Sequence, residues 1–296
     1  MVRPCRFGFN AETAVNNFFQ THEGHPESIH QQALTEFDDM VNKIRSLGID
    51  VLVIEDSPTP ETPDSIFPNN WFSTHEDGSL VLYPLFAKNR RLERKPAVLS
   101  ALQEKYTIVH QVDLSPYENS DRFLEGTGSM VLDRQHRIAY AAVSPRTHPD
   151  LLKIFCEKLQ YTPIAFEAVD SKGRPLYHTN VVMTVADRFV VICLDSIPNQ
   201  HERQSVIETI ERSGKTILAI DHEQLNQFAG NLLQVENDKG EKLLIGSKRA
   251  FTSLRTDQRS RLERYNALLE VDIPTIESVG GGSARCMLAE IFLRKN

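Results

Sequence analysis

The chain has few of the features that mark specialised proteins. It holds four cysteines in 296 residues, two of them inside apolar stretches, Cys156 in LLKIFCEKL and Cys193 in FVVICL. That is no disulfide framework; the thiols read as reduced, and any cysteine with a special role is expected to be catalytic. No run approaches the roughly 18 apolar residues a membrane-spanning helix requires. The N-terminus, MVRPCRFGFN, carries charge with no apolar segment behind it, so neither a secretory signal nor a transit peptide is expected, and the cytoplasm is the expected location. Formal charge is −7, and basic residues are dense only in KNRRLERK at 88–95, too small a footprint for a nucleic-acid binder. Metal-ligand spacing is missing too. HEQLN at 222–226 opens like a zinc-protease helix but has Asn226 where the second histidine belongs, and C-x-x-C does not occur, so neither a metal nor an organic cofactor is expected. What remains, 40% hydrophobic and 25% charged residues, is ordinary globular composition.

Organisation appears when short apolar runs opened by Gly or Asn are aligned. FPNNWFSTHEDGSLVLYPL, EGTGSMVLDRQHRIAYAAV, HTNVVMTVADRFVVICLD and AGNLLQVENDKGEKLLIGS share a polar opening, an apolar strand, a turn and a second strand, and GGGSARCMLAEIF supplies a fifth opening. They superpose on Asn70, Gly128, Asn180, Asn231 and Ser283, at successive separations of 58, 52, 51 and 52 residues. Self-similarity at a fixed period marks a repeat architecture. An amphipathic helix and one more strand follow each hairpin: Leu151, Leu152, Phe155 and Leu159 fall at helical spacing before YTPIAFEAV, residues 200–212 precede TILAI, and 259–268 precede DIPTIE. Each unit therefore reads as ββαβ. The fifth is cut, with its first strand expected in CMLAEIF and the rest at the N-terminus: VRPCRF, a helix striped by Ile29, Ala33, Phe37, Met40, Ile44 and Leu47 and ended by Gly48, then IDVLVI. The expectation is one domain over residues 1–296, a ring of five blades with pseudo-fivefold symmetry whose last blade draws on both termini.

Equivalent units bring their openings together at the pseudo-symmetry axis, so residues far apart in sequence share one pocket. The openings carry Asn69 and Asn70, Glu125, His178 and Asn180, Gly230 and Asn231, and Cys286. A cysteine, a histidine and a carboxylate on three openings make a nucleophile, a base and an orienting group. A free cysteine beside Met287 and Leu288 is ordinarily a core residue. Cys286, however, follows three glycines that let backbone approach a ligand closely.

FLEGTGSMVLDR, YHTNVV and GGGSARCMLAEIF, with FPNNWF upstream, resemble the guanidine-modifying (amidinotransferase) superfamily, most of all the arginine-deiminase-related group described as citrulline utilization hydrolases. The resemblance spans essentially the whole chain. It implies a five-bladed α/β propeller, the pentein fold, with covalent catalysis by Cys286, proton transfer by His178 and orientation of that histidine by Glu125. It also implies that Arg146, in AVSPRTHP, and Arg90 or Arg91 bind the substrate carboxylate, a task suited to the planar guanidinium fork.

Two departures bear on the substrate. Arginine deiminases carry aspartates where this sequence has Asn70 and Asn180. A guanidinium is a cation with donors only, whereas a ureido group is neutral and offers a carbonyl acceptor beside its N–H donors. Asparagine presents both kinds of group and matches the ureido pattern. The expected function is thus a C–N hydrolase acting on the ureido or guanidino carbon of an arginine-like amino acid, foremost citrulline, giving ornithine, ammonia and carbon dioxide. A dimethylarginine dimethylaminohydrolase or an arginine deiminase or dihydrolase is the alternative within the class, and a non-catalytic pentein binding protein the alternative outside it. The expected partner is a small amino-acid substrate, with no nucleic acid and no membrane; a homo-oligomer is left open.

Overall fold

The computed structural model describes residues 1–22 and 24–296. Its N-terminal unit comprises β1 (Val2–Arg3), α1 (Pro26–Ser46) and β2 (Ile54–Glu55), with β1 and β2 paired in parallel. Four fuller units follow. They are β3 (Phe72–Thr74), β4 (Ser79–Leu82), α2 (Pro96–Lys105) and β5 (His110–Asp113); β6 (Val131–Asp133), β7 (Ile138–Val143), α3 (Pro149–Leu159) and β8 (Thr162–Glu167); β9 (Met183–Val185), β10 (Phe189–Ile192), α4 (Gln200–Arg212) and β11 (Thr216–Ala219); and β12 (Leu233–Glu236), β13 (Lys242–Ser247), α5 (Thr256–Glu263) and β14 (Ala267–Val271). In each, the first two strands pair antiparallel and the second and third pair in parallel, with the helix making the crossover that parallel pairing requires. This is the ββαβ unit expected from the repeats, and the architecture is a five-bladed α/β propeller.

The local signals explain the elements. Helices α1, α2 and α3 each begin with a proline in their first turn, where its missing N–H has no partner to lose. Buried Ile29, Ala33, Phe37, Met40 and Ile44 form the inner stripe of α1, and Gly48, at φ +79°, closes the helix. Leu47 departs from the expected stripe: it sits at the C-cap, past the last full turn, and is exposed. Expected strand VRPCRF shortens to β1 because Pro4 has no N–H to continue the ladder. DIPTIE is not a strand either. The third strand of its unit is ALLEV, residues 267–271, and the chain then turns at Asp272 through Pro274 into a π-helical turn, Ile276–Gly280.

The C-terminal segment differs most from expectation. No strand forms over CMLAEIF; residues Ala284–Met287 wind into a 3₁₀ turn, with Cys286 N–H bonded to Ser283 O and Leu288 N–H to Arg285 O. Beyond it the chain is held by the first full blade: the Thr74 hydroxyl donates to Glu290 O at 3.0 Å and accepts from Phe292 N–H at 2.8 Å. Leu293 still shares one apolar cluster with Val2, with Leu52, Ile54 and Ile291 packed against it, so both termini contribute to the same part of the ring.

The openings meet as the repeats require. Asn69 Nδ2 donates to Thr127 Oγ1 at 3.3 Å, Thr179 Oγ1 to Ser129 O at 2.6 Å, Asn231 Nδ2 to Asn180 O at 2.8 Å, and Arg285 N–H to Asn231 Oδ1 at 3.1 Å. Each bond joins one opening to the next around the axis. Among the described residues no helix is long and apolar enough to cross a membrane.

Candidate active site

Glu125 precedes a one-turn helix, Gly126–Ser129, packed against the first opening. Gly126 has φ +49°, and a Cβ there would stand 2.3 Å from Asn69 O, so glycine alone permits this approach. Glu125 N–H donates to Ser129 Oγ at 2.8 Å, and that hydroxyl donates to Arg146 O at 2.7 Å, fixing the carboxylate beside the Arg146 loop. Glu125 Oε1 accepts from Phe86 N–H at 2.9 Å, while Oε2 lies 2.8 Å from His178 Nε2, 3.5 Å from Arg146 Nη1 and 3.9 Å from Arg90 Nη1. All four side chains are buried.

Burial would raise the Glu125 carboxyl, but the Arg146 guanidinium, His178 and Arg90 outweigh it and hold the group well below the usual carboxylate range. It is therefore the anion that orients the ring, with the proton on Nε2 and Nδ1 left as the basic nitrogen. Burial, helped by Arg146 and Arg90, outweighs Glu125 at the imidazole and pushes it down to about 4. At neutral pH His178 is thus a neutral acceptor. The sign for stability follows: the unfolded chain takes up this proton near 6.5 and the folded chain only near 4, so stability is lost as pH falls through that window. Between about pH 7 and pH 5 the loss from this residue should be about 2 kcal/mol. Urea unfolding at both pH values should show a loss in wild type that exceeds the loss in His178→Gln by about that amount; equal losses in the two proteins would refute the assignment.

Cys286 stands at the fifth opening. Its Sγ receives Asn231 Nδ2 at 3.3 Å and Asn180 Nδ2 at 3.4 Å, both buried amides. Burial raises this thiol, against the Ser283 backbone bond, Asn231, Arg285 and Asn180, which lower it. Cys286, His178, Asn70, Arg90, Arg146 and Asp64 line one cavity of about 10 Å³, room for about one water. The roof over it is the segment 10–21: Asn17 Nδ2 donates to Gly281 O at 3.1 Å, Gln20 Nε2 to Val279 O at 3.1 Å, and Thr21 N–H to Ser278 O at 2.7 Å.

Of the residues singled out in the sequence, Cys286, His178, Asn70, Arg90 and Arg146 line this cavity, Glu125 and Asn180 stand behind it, bonded to His178 and to Cys286, and Arg91 reaches away to Leu85 O. Arg90 is not the free fork that was expected. Nε and Nη2 grip Glu93 at 2.8 and 2.9 Å, Nη2 also reaches Phe67 O at 3.2 Å, and Nη1 donates to Asn70 Oδ1 at 2.7 Å. A bidentate grip on a second carboxylate is closed to it. Arg146 is held more lightly, Nε and Nη2 bonding Asn16 Oδ1 and Thr13 O of the roof. Asp64 escaped sequence reasoning. It is buried, accepts from Asn10 Nδ2 at 2.7 Å and Thr13 Oγ1 at 3.2 Å, and its Oδ1 has no partner among the described residues. Its segment belongs to no repeat opening, so only the fold brings it here. Among the described residues no three His, Cys, Asp or Glu side chains stand as a metal site.

The ring of five blades, four of them ββαβ and the fifth without its first strand, with a cysteine, a histidine and a carboxylate at its axis, is that of the pentein, or amidinotransferase, superfamily of arginine-modifying enzymes. Within it the chain belongs to the family of N,N-dimethylarginine dimethylhydrolases, eukaryotic type, whose model matches residues 3–293. These enzymes are hydrolases acting on C–N bonds. Among solved structures it is similar to ArgZ, an arginine dihydrolase from the ornithine–ammonia cycle in cyanobacteria, at 16% identity and TM-score 0.75, over 98% of this chain. It spans only 40% of that protein, but 98% of its N-terminal domain, a substrate-bound structure of which matches at TM-score 0.73 and 16% identity over 99% of this chain. A dimethylarginine dimethylaminohydrolase adduct with S-methyl-L-thiocitrulline matches at TM-score 0.63 and 13% identity, over 97% of this chain and 96% of that one. At such identities the likeness establishes the fold. No curated protein sequence matches the chain.

Proposed function

We propose that the protein hydrolyses citrulline to ornithine, ammonia and carbon dioxide, with Cys286 as nucleophile, His178 as proton carrier and Glu125 as its orienting anion. One observation carries the choice of substrate: the direction of the Asn70 amide. A guanidinium has no acceptor, so Arg90 Nη1 fixes Oδ1 toward itself. Nδ2 then faces the other way, giving one N–H to Asn69 Oδ1 at 3.1 Å and keeping the second. That N–H suits a ureido carbonyl and has nothing to accept it on a guanidinium. Asn180 complements it, since its Nδ2 is turned to Cys286 and its buried Oδ1 has no partner among the described residues, an acceptor for ureido N–H. Arg146 takes the substrate carboxylate in exchange for its roof contacts, with Arg90 adding at most the remaining N–H of Nη1. Asp64 takes the α-ammonium. Citrulline enters only when segment 10–21 moves aside, because the space beneath it is too small.

In the reaction the thiol proton passes to His178 Nδ1 as sulfur adds to the ureido carbon, and the imidazolium formed is stabilised by Glu125. The C–N bond breaks as the departing amine takes that proton. Water, deprotonated by His178, then displaces the sulfur, and the resulting carbamic acid falls apart to amine and carbon dioxide; with one water consumed, all atoms balance. The same reading treats residues 1–296 as one catalytic domain, its fifth blade completed by both termini. A second reading, arginine dihydrolase or dimethylarginine hydrolase activity, is favoured by the family model and by the named functions of the similar structures. Incubating the pure protein separately with citrulline, arginine and dimethylarginine, and scoring ornithine, citrulline and ammonia, decides between them. Ornithine from citrulline at the highest kcat/KM is the expected result; turnover of arginine or dimethylarginine with citrulline ignored would overturn the proposal.

A further inference from the structure

We infer that Asn231, on the fourth opening, is the group that stabilises the Cys286 thiolate as the proton leaves the sulfur. The inference rests on Cys286 being the nucleophile and adds to that reading a residue with no assigned part in the chemistry. Asn231 is fully buried, and its amide has no freedom to turn. Oδ1 accepts from Arg285 N–H at 3.1 Å, and a backbone N–H can meet only an acceptor. Nδ2 must therefore point the other way, where its two hydrogens go to Asn180 O at 2.8 Å and to Sγ at 3.3 Å. Both partners along that side are acceptors, so the flipped amide would set donor against donor at Arg285 and acceptor against acceptor at Asn180.

Burial raises the thiol, and the polar contacts of the sulfur work against it. Its two nearest polar contacts, at 3.3 and 3.4 Å, are amide donors, while the one acceptor in range, Asn231 Oδ1, is farther away at 3.8 Å. A thiol would want the acceptor close; a thiolate wants donors. The hydrogen bonds of His178 and of the sulfur go to other groups among the described residues, so His178 takes the proton during attack and the amides steady the charge left on sulfur. Asn180 gives the sulfur one N–H, at 3.4 Å, and its Oδ1 has no partner among the described residues to fix the amide. Asn231, which like Asn180 stands behind the cavity lining, is fixed by its neighbours on both sides and placed where the fourth blade hands over to the fifth. The carbonyl of Asn180 and the amide N–H of Arg285, next to Cys286, both end on it, so one side chain sets the spacing between donor and nucleophile.

The test reads the thiolate directly and needs no substrate. Ultraviolet thiolate absorbance is followed against pH in wild type and in Cys286→Ala, the difference isolating Cys286, and the measurement is repeated in Asn231→Ala and Asn231→Asp backgrounds. Loss of one amide donor should raise the Cys286 midpoint by about one pH unit, a tenfold drop in thiolate below it. Aspartate keeps the Arg285 bond but puts a carboxylate against sulfur, and should raise it further. The rate should follow: kcat/KM of Asn231→Ala falls about tenfold below the midpoint and approaches wild type above it, whereas a purely structural role would lower it equally at every pH. Midpoints unchanged in both variants would overturn the inference, even with full dependence of turnover on Cys286. If neither variant folds, wild type labelled with ¹⁵N at asparagine side chains answers the same question: the Asn231 amide resonance should shift along the Cys286 titration, and a resonance indifferent to it rejects the idea.

Discussion

Cys286→Ala should reduce turnover by at least about 10⁴-fold, the order lost when a covalent nucleophile is removed and only binding and polarisation remain. The fold should survive. Residue 286 lies in a 3₁₀ turn held through the main chain, by Cys286 N–H to Ser283 O and Arg285 N–H to Asn231 Oδ1, and alanine keeps both. Loss of the sulfur costs about 1 kcal/mol in packing and leaves the Asn231 and Asn180 amides without an acceptor, a further cost of about 1–3 kcal/mol. Cys156 and Cys193 supply the contrast. Burial pushes them up to about 12 and about 11, and they lie in the apolar clusters beneath α3 and β10, where a thiolate has no use. Replacing either by alanine should lower the melting temperature by a few degrees and leave kcat within about twofold. Ammonia release and thermal unfolding, measured on all three variants, check both halves. Substantial turnover in Cys286→Ala would remove covalent catalysis from the account and with it the roles given to His178 and Glu125.

How much of this was legible in the sequence follows from what a repeat can encode. The openings recur at nearly constant spacing because each is the same turn in the same place, so Asn70, Glu125, His178, Asn180 and Cys286 could be assembled before any coordinates. Strand ends were less legible. Pro4 ended a strand that apolar pattern alone would have prolonged, and the last strand of the DIPTIE unit is ALLEV, whose first residues read in sequence as the end of a helix running into DIPTIE. The C-terminal strand failed for a tertiary reason: the Thr74 hydroxyl binds Glu290 O and Phe292 N–H, a side chain serving where a strand partner was expected. Arg90 was found but misread, since Glu93, three residues on, saturates its fork. That pairing was visible in the sequence as an i,i+3 pair, yet nothing there said it would be buried. Asp64 lies outside every repeat motif and is recognisable only as a buried oxygen without a partner.

Asn70→Asp should shift the substrate preference away from citrulline and toward arginine, for a reason that lies in the two bonds of the amide. Asparagine at 70 serves two masters: Oδ1 anchors Arg90 at 2.7 Å, and Nδ2 is bonded to Asn69 Oδ1 at 3.1 Å with one N–H to spare. Aspartate would keep the first bond and strengthen it by charge, so Arg90 and its Glu93 partner should hold their places. It would lose every N–H, leaving a carboxylate oxygen against Asn69 Oδ1 and, once substrate is bound, against the ureido oxygen. Two unpaired acceptors facing each other in a buried site cost about 1–3 kcal/mol, roughly ten- to a hundred-fold in kcat/KM for citrulline. A guanidinium at the same place gains a charge-assisted acceptor, so arginine should bind more tightly in the variant, read as a lower KM or inhibition constant. Its turnover need not rise, because protonation of the departing group depends on His178 and not on residue 70. The rival account is that Asn70 serves only to steady Arg90; the variant would then treat both substrates alike, since the Arg90 contact is conserved in it. Measuring kcat/KM for citrulline and arginine in wild type and Asn70→Asp gives four numbers, and the ratio of ratios isolates the amide. A value near one would assign substrate choice to residues other than Asn70, whereas a swing of ten or more toward arginine would place it in the single N–H that Arg90 turns toward the ureido group.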